Sequence, residues 1–404
     1  MRRPPAPPGR RGAAAAPTDR GTTVIPVMRP LLGEEEALAA AEAVRSGWVA
    51  QGPRVREFEE RFAASVGAEH GVAVSSCTTG LHLAVHLLGV GPGDEVVVPS
   101  LSFIATANAV RYTGATPVFA DVEAETGNLS ASTVEAVLTE RTRAVMVVHQ
   151  AGVPADVESL KALCEPRGIV VIEDAACAAG STYQGKPVGT NAVLAAWSFH
   201  PRKLLTTGEG GMVTTDDEDW AIRLKRLREH GMSVSAADRH HGGSAVIEQY
   251  LETAFNYRMT DIQAAVGLVQ LSKLDVIIAR RRELAARYHE LLADLPGLTA
   301  VRDPEYGTTN YQSFWVWLPE GAPDRTEILA GLAERGVSAR RGIMASHLEP
   351  AYAGHPSAPL PVTEAFTART LILPLFHDMT YDQQDTVVSA LSETLHTFHL
   401  TVRG

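Results

Sequence analysis

The sequence predicts an α/β fold: a large domain on a mainly parallel seven-stranded sheet covered by helices, followed by a small α/β C-terminal domain. Three observations predict it. Seven short runs are almost continuously apolar and rich in β-branched residues, the pattern of strands buried on both faces. Helical patterns or turns separate several of these runs, as crossovers between parallel strands require. After Pro304 the pattern changes to a shorter series of strands and helices.

The elements follow in order. Met1 to about Gly21 is rich in Pro, Arg, Ala and Gly and lacks an apolar run of signal-peptide length, so residues 1–21 are expected to be a disordered basic extension. Residues 22–280 are expected to form the large domain, N-terminal segment included. Its strands are read at Val72–Ser75, Glu95–Val98, Thr116–Ala120, Ala144–Val148, Ile169–Ile172, Ala195–Phe199 and Gly211–Thr215. Asp261 to about Leu295 reads as a helix joining the domains, with Leu268, Leu271, Leu274 and Ile278 at helical spacing and Arg280, Arg281, Arg282 and Glu283 on its polar side. Residues 281–404 then supply a strand at Ser313–Leu318, a helix at Arg325–Arg335, a short strand at Val337–Arg341 and a last helix near Tyr381–Phe398.

Composition narrows the function classes. With 404 residues, 45% of them hydrophobic, the chain can bury a core larger than one typical domain. A formal charge of -11 repels phosphate backbones and anionic membranes, so neither nucleic acid nor a membrane is an expected partner. There is no uninterrupted stretch of eighteen or more apolar residues of the kind that spans a bilayer. Three cysteines without a Cys-x-x-Cys pair (Cys77, Cys164, Cys177) argue against a disulfide framework and a zinc site, and make the reducing cytoplasm the expected location. His240 and His241 lie in a polar, Gly-bounded stretch without metal-ligand company elsewhere in the sequence, so no metal is expected.

The chemistry concentrates around Lys203. It closes the run Ser198-Phe-His-Pro-Arg-Lys203, which precedes a cluster of glycines from Gly208 to Gly211, and Glu173-Asp174 ends an earlier apolar run. A lysine amine forms a Schiff base with an aldehyde, and a carboxylate facing a pyridine nitrogen keeps that ring protonated and able to accept electrons. Lys203 and Asp174 are the candidates for those two roles. In a parallel sheet both would fall at or beyond the carboxyl ends of strands, where α/β sheets place their ligands. The turn Val74-Ser-Ser-Cys-Thr-Thr-Gly80 joins a strand to a helix, so its free backbone amides suit an anion, with Thr78 and Thr79 as the best candidates. An ordinary Ser/Thr helix cap has the same pattern.

Together these pieces carry a resemblance. Gly52-Pro-Arg-Val-Arg-Glu-Phe58, Ser75-Ser-Cys-Thr-Thr-Gly, Gly91-Pro-Gly-Asp-Glu-Val-Val-Val-Pro-Ser100, Gly114-Ala-Thr-Pro-Val-Phe-Ala-Asp121, Glu173-Asp-Ala-Ala, the Lys203 segment and Asn256-Tyr-Arg-Met-Thr-Asp-Ile-Gln-Ala-Ala265 occur in that order. The chain resembles the DegT/DnrJ/StrS sugar aminotransferases, fold-type I enzymes that use pyridoxal 5'-phosphate, from about Pro30 to the C-terminus. The resemblance implies that Lys203 carries the cofactor and Asp174 faces its ring nitrogen. It also implies that Thr78, Thr79 and Ser198 hold the phosphate and that Phe103 stacks on the ring. Asn256 would reach the phosphate of a neighbouring subunit, making a homodimer with shared active sites. Cys77 stands where a glycine is common, and Cys177 where similar enzymes often carry Gln or His against the ring hydroxyl. His200 reads as packing or as an outer neighbour of the Schiff base. His347 and the Arg340-Arg341 pair fall in a segment that similar enzymes place near the substrate.

The implied activity moves an amino group from glutamate or glutamine to a keto sugar, such as a nucleotide-linked 3- or 4-keto-6-deoxyhexose, or to a cyclitol ketone, in amino-sugar biosynthesis. Two other readings stand beside it. Cofactor-dependent sugar dehydratases are similar but carry His at the lysine position, which Lys203 argues against. A regulatory protein that binds the cofactor without turnover would have little use for the intact Lys203 and Asp174 pair.

Overall fold

In the computed structural model, residues 24–234 and 247–401 are described; the N-terminal extension and the His240-His241 pair lie outside them. The large domain begins with helices α1 (Glu34–Ser46) and α2 (Pro53–Ser65), then strand β1 (His70–Val74) and helix α3 (Cys77–Leu87). It continues through β2 (Glu95–Pro99), α4 (Ala105–Tyr112), β3 (Thr116–Ala120), α5 (Ala131–Glu135), β4 (Thr142–Val148), α6 (Val157–Cys164) and β5 (Val170–Asp174). The short β6 (Thr182–Tyr183) and β7 (Lys186–Pro187) lead to β8 (Leu194–Ser198), β9 (Gly211–Thr215) and α7 (Glu218–Leu227).

Seven of these strands form one sheet in the order β1-β9-β8-β5-β4-β2-β3. All seven runs read from the sequence are strands of this sheet. The pairs β2 with β3, β2 with β4, β4 with β5 and β5 with β8 are parallel, whereas β9 runs antiparallel to both β8 and β1. Val96, Val97, Val98, Ala144, Val145, Met146 and Val147 are wholly buried, as expected of strands covered on both faces. Every parallel strand therefore ends on one edge, and β1, β2, β5 and β8 deliver Ser76, Ser100, Asp174 and Ser198 there.

The remaining chain starts with α8 (Asp261–Leu292), followed by β10 (Thr299–Ala300), β11 (Gly307–Thr308), β12 (Phe314–Trp317), α9 (Arg325–Glu334), β13 (Arg340–Arg341), α10 (Pro361–Arg369), β14 (Thr370–Leu373) and α11 (Tyr381–Thr401). The C-terminal sheet is antiparallel, in the order β10-β12-β14-β13. Residue 280 falls inside the continuous helix α8, and Ile25 pairs with Val337, so the N-terminal segment and α8 both tie the two parts together.

Among the described residues, α8 alone is long and apolar enough over an eighteen-residue window to cross a membrane. Counting uninterrupted apolar residues overlooks such a helix. Its apolar side packs on α1, α2 and α11, burying Ala264, Ala265, Leu268, Leu274, Ile277 and Leu284. The arginine run also differs from expectation. Arg281 is buried, and its guanidinium donates to the carbonyls of Tyr311, Gln312 and Leu375 at 2.8, 3.0 and 2.9 Å.

The start of α8 explains two of the sequence motifs at once. The wholly buried Asp261 accepts N–H bonds from Gly52 (2.8 Å), Arg54 (3.1 Å) and Val55 (3.0 Å), so it satisfies the first amides of α2 from 200 residues away in the chain. Thr260 caps α8 itself through Gln263 N–H. Asp261→Ala leaves these amides buried without an acceptor and is expected to cost about 3 kcal/mol, at the upper end of the penalty for unpaired buried groups, because an ionised acceptor is lost. Urea unfolding of the variant, with an unchanged slope and a lower midpoint, is the check.

Candidate active site

The site is built on the edge where the parallel strands end. Asp174, the last residue of β5, is buried; its Oδ2 accepts from Thr106 Oγ1 at 2.8 Å and its Oδ1 from the Ala176 amide at 3.2 Å. Burial pushes this carboxyl above its usual range, while Thr106, the Ala176 amide, Lys203 and His149 pull the other way. Thr106 is itself held by Ser102 Oγ at 2.7 Å. One residue earlier in β5, Glu173 points to the opposite face of the sheet, where it accepts from His149 Nε2 at 3.1 Å.

Lys203 sits on the turn after β8, with Nζ donating to Cys177 Sγ at 3.0 Å. Burial works against its charge, but Cys177, Cys77 and Asp174 together raise its pKa above the ordinary lysine value. Two residues from the segment leading into β12 fasten this turn and the Cys177 turn beside it. Gln312 Oε1 accepts from Leu204 N–H at 3.1 Å while its Nε2 donates to the Arg202 carbonyl at 2.6 Å. Asn310 donates to the carbonyls of Cys177 (2.8 Å) and Ala179 (2.9 Å), so a single short strand of chain aligns the lysine turn with the cysteine turn. Cys177, Ser198, Lys203, Asn310 and Gln312 line one small cavity.

The anion cradle lies at the start of α3. Ser76 caps the helix by accepting from Thr79 N–H, and Thr79 Oγ1 returns the bond to Ser76 N at 3.1 Å. The amides of Cys77 and Thr78 have no acceptor among the described residues. Free amides and the positive end of α3 thus face the strand edge. The glycine at 211 lets β9 pass directly beneath, because a Cβ there would lie 2.5 Å from the Ser76 carbonyl carbon and 2.6 Å from the Cys77 nitrogen.

The structure brings together Lys203, Asp174, Cys177 and, from α3, Cys77, whose buried thiol is pushed well above its ordinary pKa by burial and by Asp174. Ser198 ends β8, and its hydroxyl accepts from His200 N–H at 3.4 Å. Thr79 is already committed to the cap, whereas the Thr78 hydroxyl has no partner among the described residues. Phe103 projects from the loop after β2 with 68% of its surface exposed. Asn256 is exposed on a loop that pairs with Glu229 through its backbone, and its side chain makes no hydrogen bond to the other candidates. His347 is anchored by Ser100 Oγ at 2.6 Å, and His200 is pushed down by burial and by the cations Arg202, Lys203 and Arg340. Thr106, Asn310 and Gln312 were not singled out from the sequence.

A lysine amine within electrostatic reach of a buried carboxyl, on the same edge as a helix start with open amides, provides the groups that an aldehyde-bearing pyridine phosphate requires. Comparison of the whole sequence agrees: residues 30–392 match the DegT/DnrJ/EryC1/StrS aminotransferase family. The chain belongs to that family. It is similar in structure to the aminotransferase TlmJ from Streptoalloteichus hindustanus, with 38% identity, a TM-score of 0.86 and coverage of 93% of this chain and 100% of that one. It is also similar to DesI, solved in the presence of its TDP-sugar product, at 34% identity and a TM-score of 0.85, covering 96% and 97% of the two chains. A third similar structure is the putative sugar aminotransferase Spr1654 from Streptococcus pneumoniae in its PLP form, at 28% identity and a TM-score of 0.85, covering 93% and 99%. The protein is thus a pyridoxal-phosphate-dependent aminotransferase of the DegT/DnrJ/EryC1/StrS family with the fold of the fold-type I enzymes.

Proposed function

We propose that this aminotransferase moves an amino group from glutamate or glutamine to a keto sugar, a nucleotide-linked 3- or 4-keto-6-deoxyhexose or a cyclitol ketone, in amino-sugar biosynthesis. The observation that carries the reading is the placement of the Lys203 amine beside the Cys177 turn and within electrostatic reach of the buried Asp174 carboxyl. The sugar acceptor is supported by relatives: DesI was solved with a TDP-sugar product, and Spr1654 is described as a putative sugar aminotransferase. Arg202 and Arg340, both exposed near the Lys203 turn, supply positive charge suited to a diphosphate.

The residues present fit the cofactor. The open amides of Cys77 and Thr78 with the hydroxyls of Thr78 and Ser198 would hold its phosphate, Lys203 its aldehyde carbon and Asp174 its ring nitrogen. Cys177 lies where the ring hydroxyl is expected, and Phe103 is available to cover the ring face. When bound, pyridoxal phosphate supplies a protonated pyridine that accepts electrons from the carbon bearing the amino group. Lys203, once released by the incoming amine, takes the proton from the donor's α carbon and returns one in the second half of the cycle. Asp174 keeps the ring nitrogen protonated throughout. Asn256, exposed and with no side-chain hydrogen bond among the described residues, is assigned to the phosphate of a second subunit, which makes the working form a homodimer with shared active sites. A cytoplasmic location belongs to the same reading.

The test supplies the purified protein with its cofactor, glutamate or glutamine, and a panel of nucleotide-linked 3- and 4-keto-6-deoxyhexoses and cyclitol ketones. Mass spectrometry should find one aminated product together with the keto acid left by the donor. Release of the keto acid with no acceptor in the panel aminated would overturn the acceptor class; absence of any keto acid would overturn the donor.

A further inference from the structure

Cys177 occupies a position that the resemblance assigns to a ring-hydroxyl contact, yet in this chain its sulfur lies 3.0 Å from Lys203 Nζ. The thiol is partly exposed, unlike Cys77 and Cys164, which are buried. Its backbone is not free to drift, since Asn310 donates to the carbonyls of both Cys177 and Ala179, and Gln312 holds the lysine turn from the other side. The pair is therefore set by two separately fastened turns.

We propose that Cys177 is a positioning residue for Lys203: its sulfur receives the lysine N–H whenever that amine is not bonded to the aldehyde, and the two side chains hold one proton between them. This rests on the reading that Lys203 carries the cofactor. An amine that gives one N–H to sulfur keeps its lone pair directed elsewhere, as a group that must next take a proton from carbon requires. The groups facing the pair are few: Asp174 from β5 and Cys77 from α3 favour the lysine's charge, His200 and Arg202 lie on its own turn, and Asn310 and Gln312 are neutral. The Cys177 contact raises the lysine's affinity for its proton.

Two measurements on the cofactor-free protein test this. The first is alkylation of each cysteine by iodoacetamide, followed by peptide mass spectrometry over a range of pH. Cys177 should react first, and Lys203→Ala should slow it several-fold near neutral pH by removing the amine that contacts the sulfur; Lys203→Arg, which keeps a charged N–H donor, should retain most of the rate. The second follows capture of pyridoxal phosphate on Lys203, fixed by borohydride, in wild type and Cys177→Ala. Removing the sulfur should shift the capture profile to lower pH, because the amine then loses its proton more easily. An unmoved profile in either experiment overturns the pairing. Borohydride fixation at a residue other than Lys203 in the wild type would instead overturn the assignment of Lys203 on which the pairing rests.

Discussion

Lys203→Ala is expected to lower turnover by on the order of 10⁴-fold or more, because one substitution removes both the amine that holds the aldehyde and the base that moves the α proton, and acid–base assistance alone is worth about 10² to 10⁴. The wild type should show the absorbance of a lysine-linked aldehyde, converted by glutamate to the amine form. The variant should bind the cofactor without that linkage, and borohydride should leave no cofactor on the protein. Thermal unfolding is the control for folding. Among the described residues the Lys203 side chain makes no hydrogen bond beyond the one to Cys177, and its turn is fastened by Gln312 and not by its own side chain. A variant that keeps its fold and full turnover would assign the chemistry to another residue. The same spectrum separates a turnover-competent enzyme from a cofactor-binding regulator, since a regulator would hold the linkage and not respond to any amino donor.

How much of this was legible in the sequence depends on whether a signal is local. The seven strands were legible because a strand covered on both faces leaves an uninterrupted apolar run, and the strand ends placed Asp174 and Ser198 on one edge. The reversed direction of β9 was not legible, since Gly-Met-Val-Thr-Thr reads the same in either direction. The two-residue strands β6, β7 and β11 are too short for any periodicity. Arg281 was assigned to the polar side of α8 because arginine is rarely buried; three carbonyls, held in place by the neighbouring segments, satisfy it instead.

The site divides in the same way. Lys203, Asp174 and the Ser76 cap announce themselves by residue type beside a strand end. Thr106 lies 68 residues from Asp174, and Gln312 lies 108 from Leu204, so their roles exist only once the chain has folded. In the sequence, Thr106 is one of several threonines at a helix start, and Asn310 and Gln312 sit in a polar stretch like any loop. The Cys177 turn was visible as a departure from the usual Gln or His, but its partner Lys203 was not, because the contact depends on Asn310 and Gln312 aligning two turns.

Asp174→Asn is expected to reduce turnover by about 10² to 10³-fold, the range seen when one preorganised electrostatic partner of a reacting group is removed. Its effect on stability should have opposite signs with and without the cofactor. Burial raises the Asp174 pKa in the folded protein, so folding favours its protonated form. The cost of keeping it ionised is absent below the unfolded carboxyl's pKa, develops as pH rises through the folded value, and persists at neutral pH. Asparagine cannot ionise and escapes that cost, so the cofactor-free variant should melt at or above the wild-type temperature at neutral pH, and the difference should shrink as the pH is lowered. With cofactor the order should reverse, because a protonated ring nitrogen facing the carboxylate turns a buried lone charge into a pair and asparagine offers it no charge. Melting curves of both proteins, with and without pyridoxal phosphate at several pH values, read both signs at once. If the cofactor stabilised the two proteins equally, Asp174 would not be the partner of the ring nitrogen. The elevated pKa would then reflect burial alone.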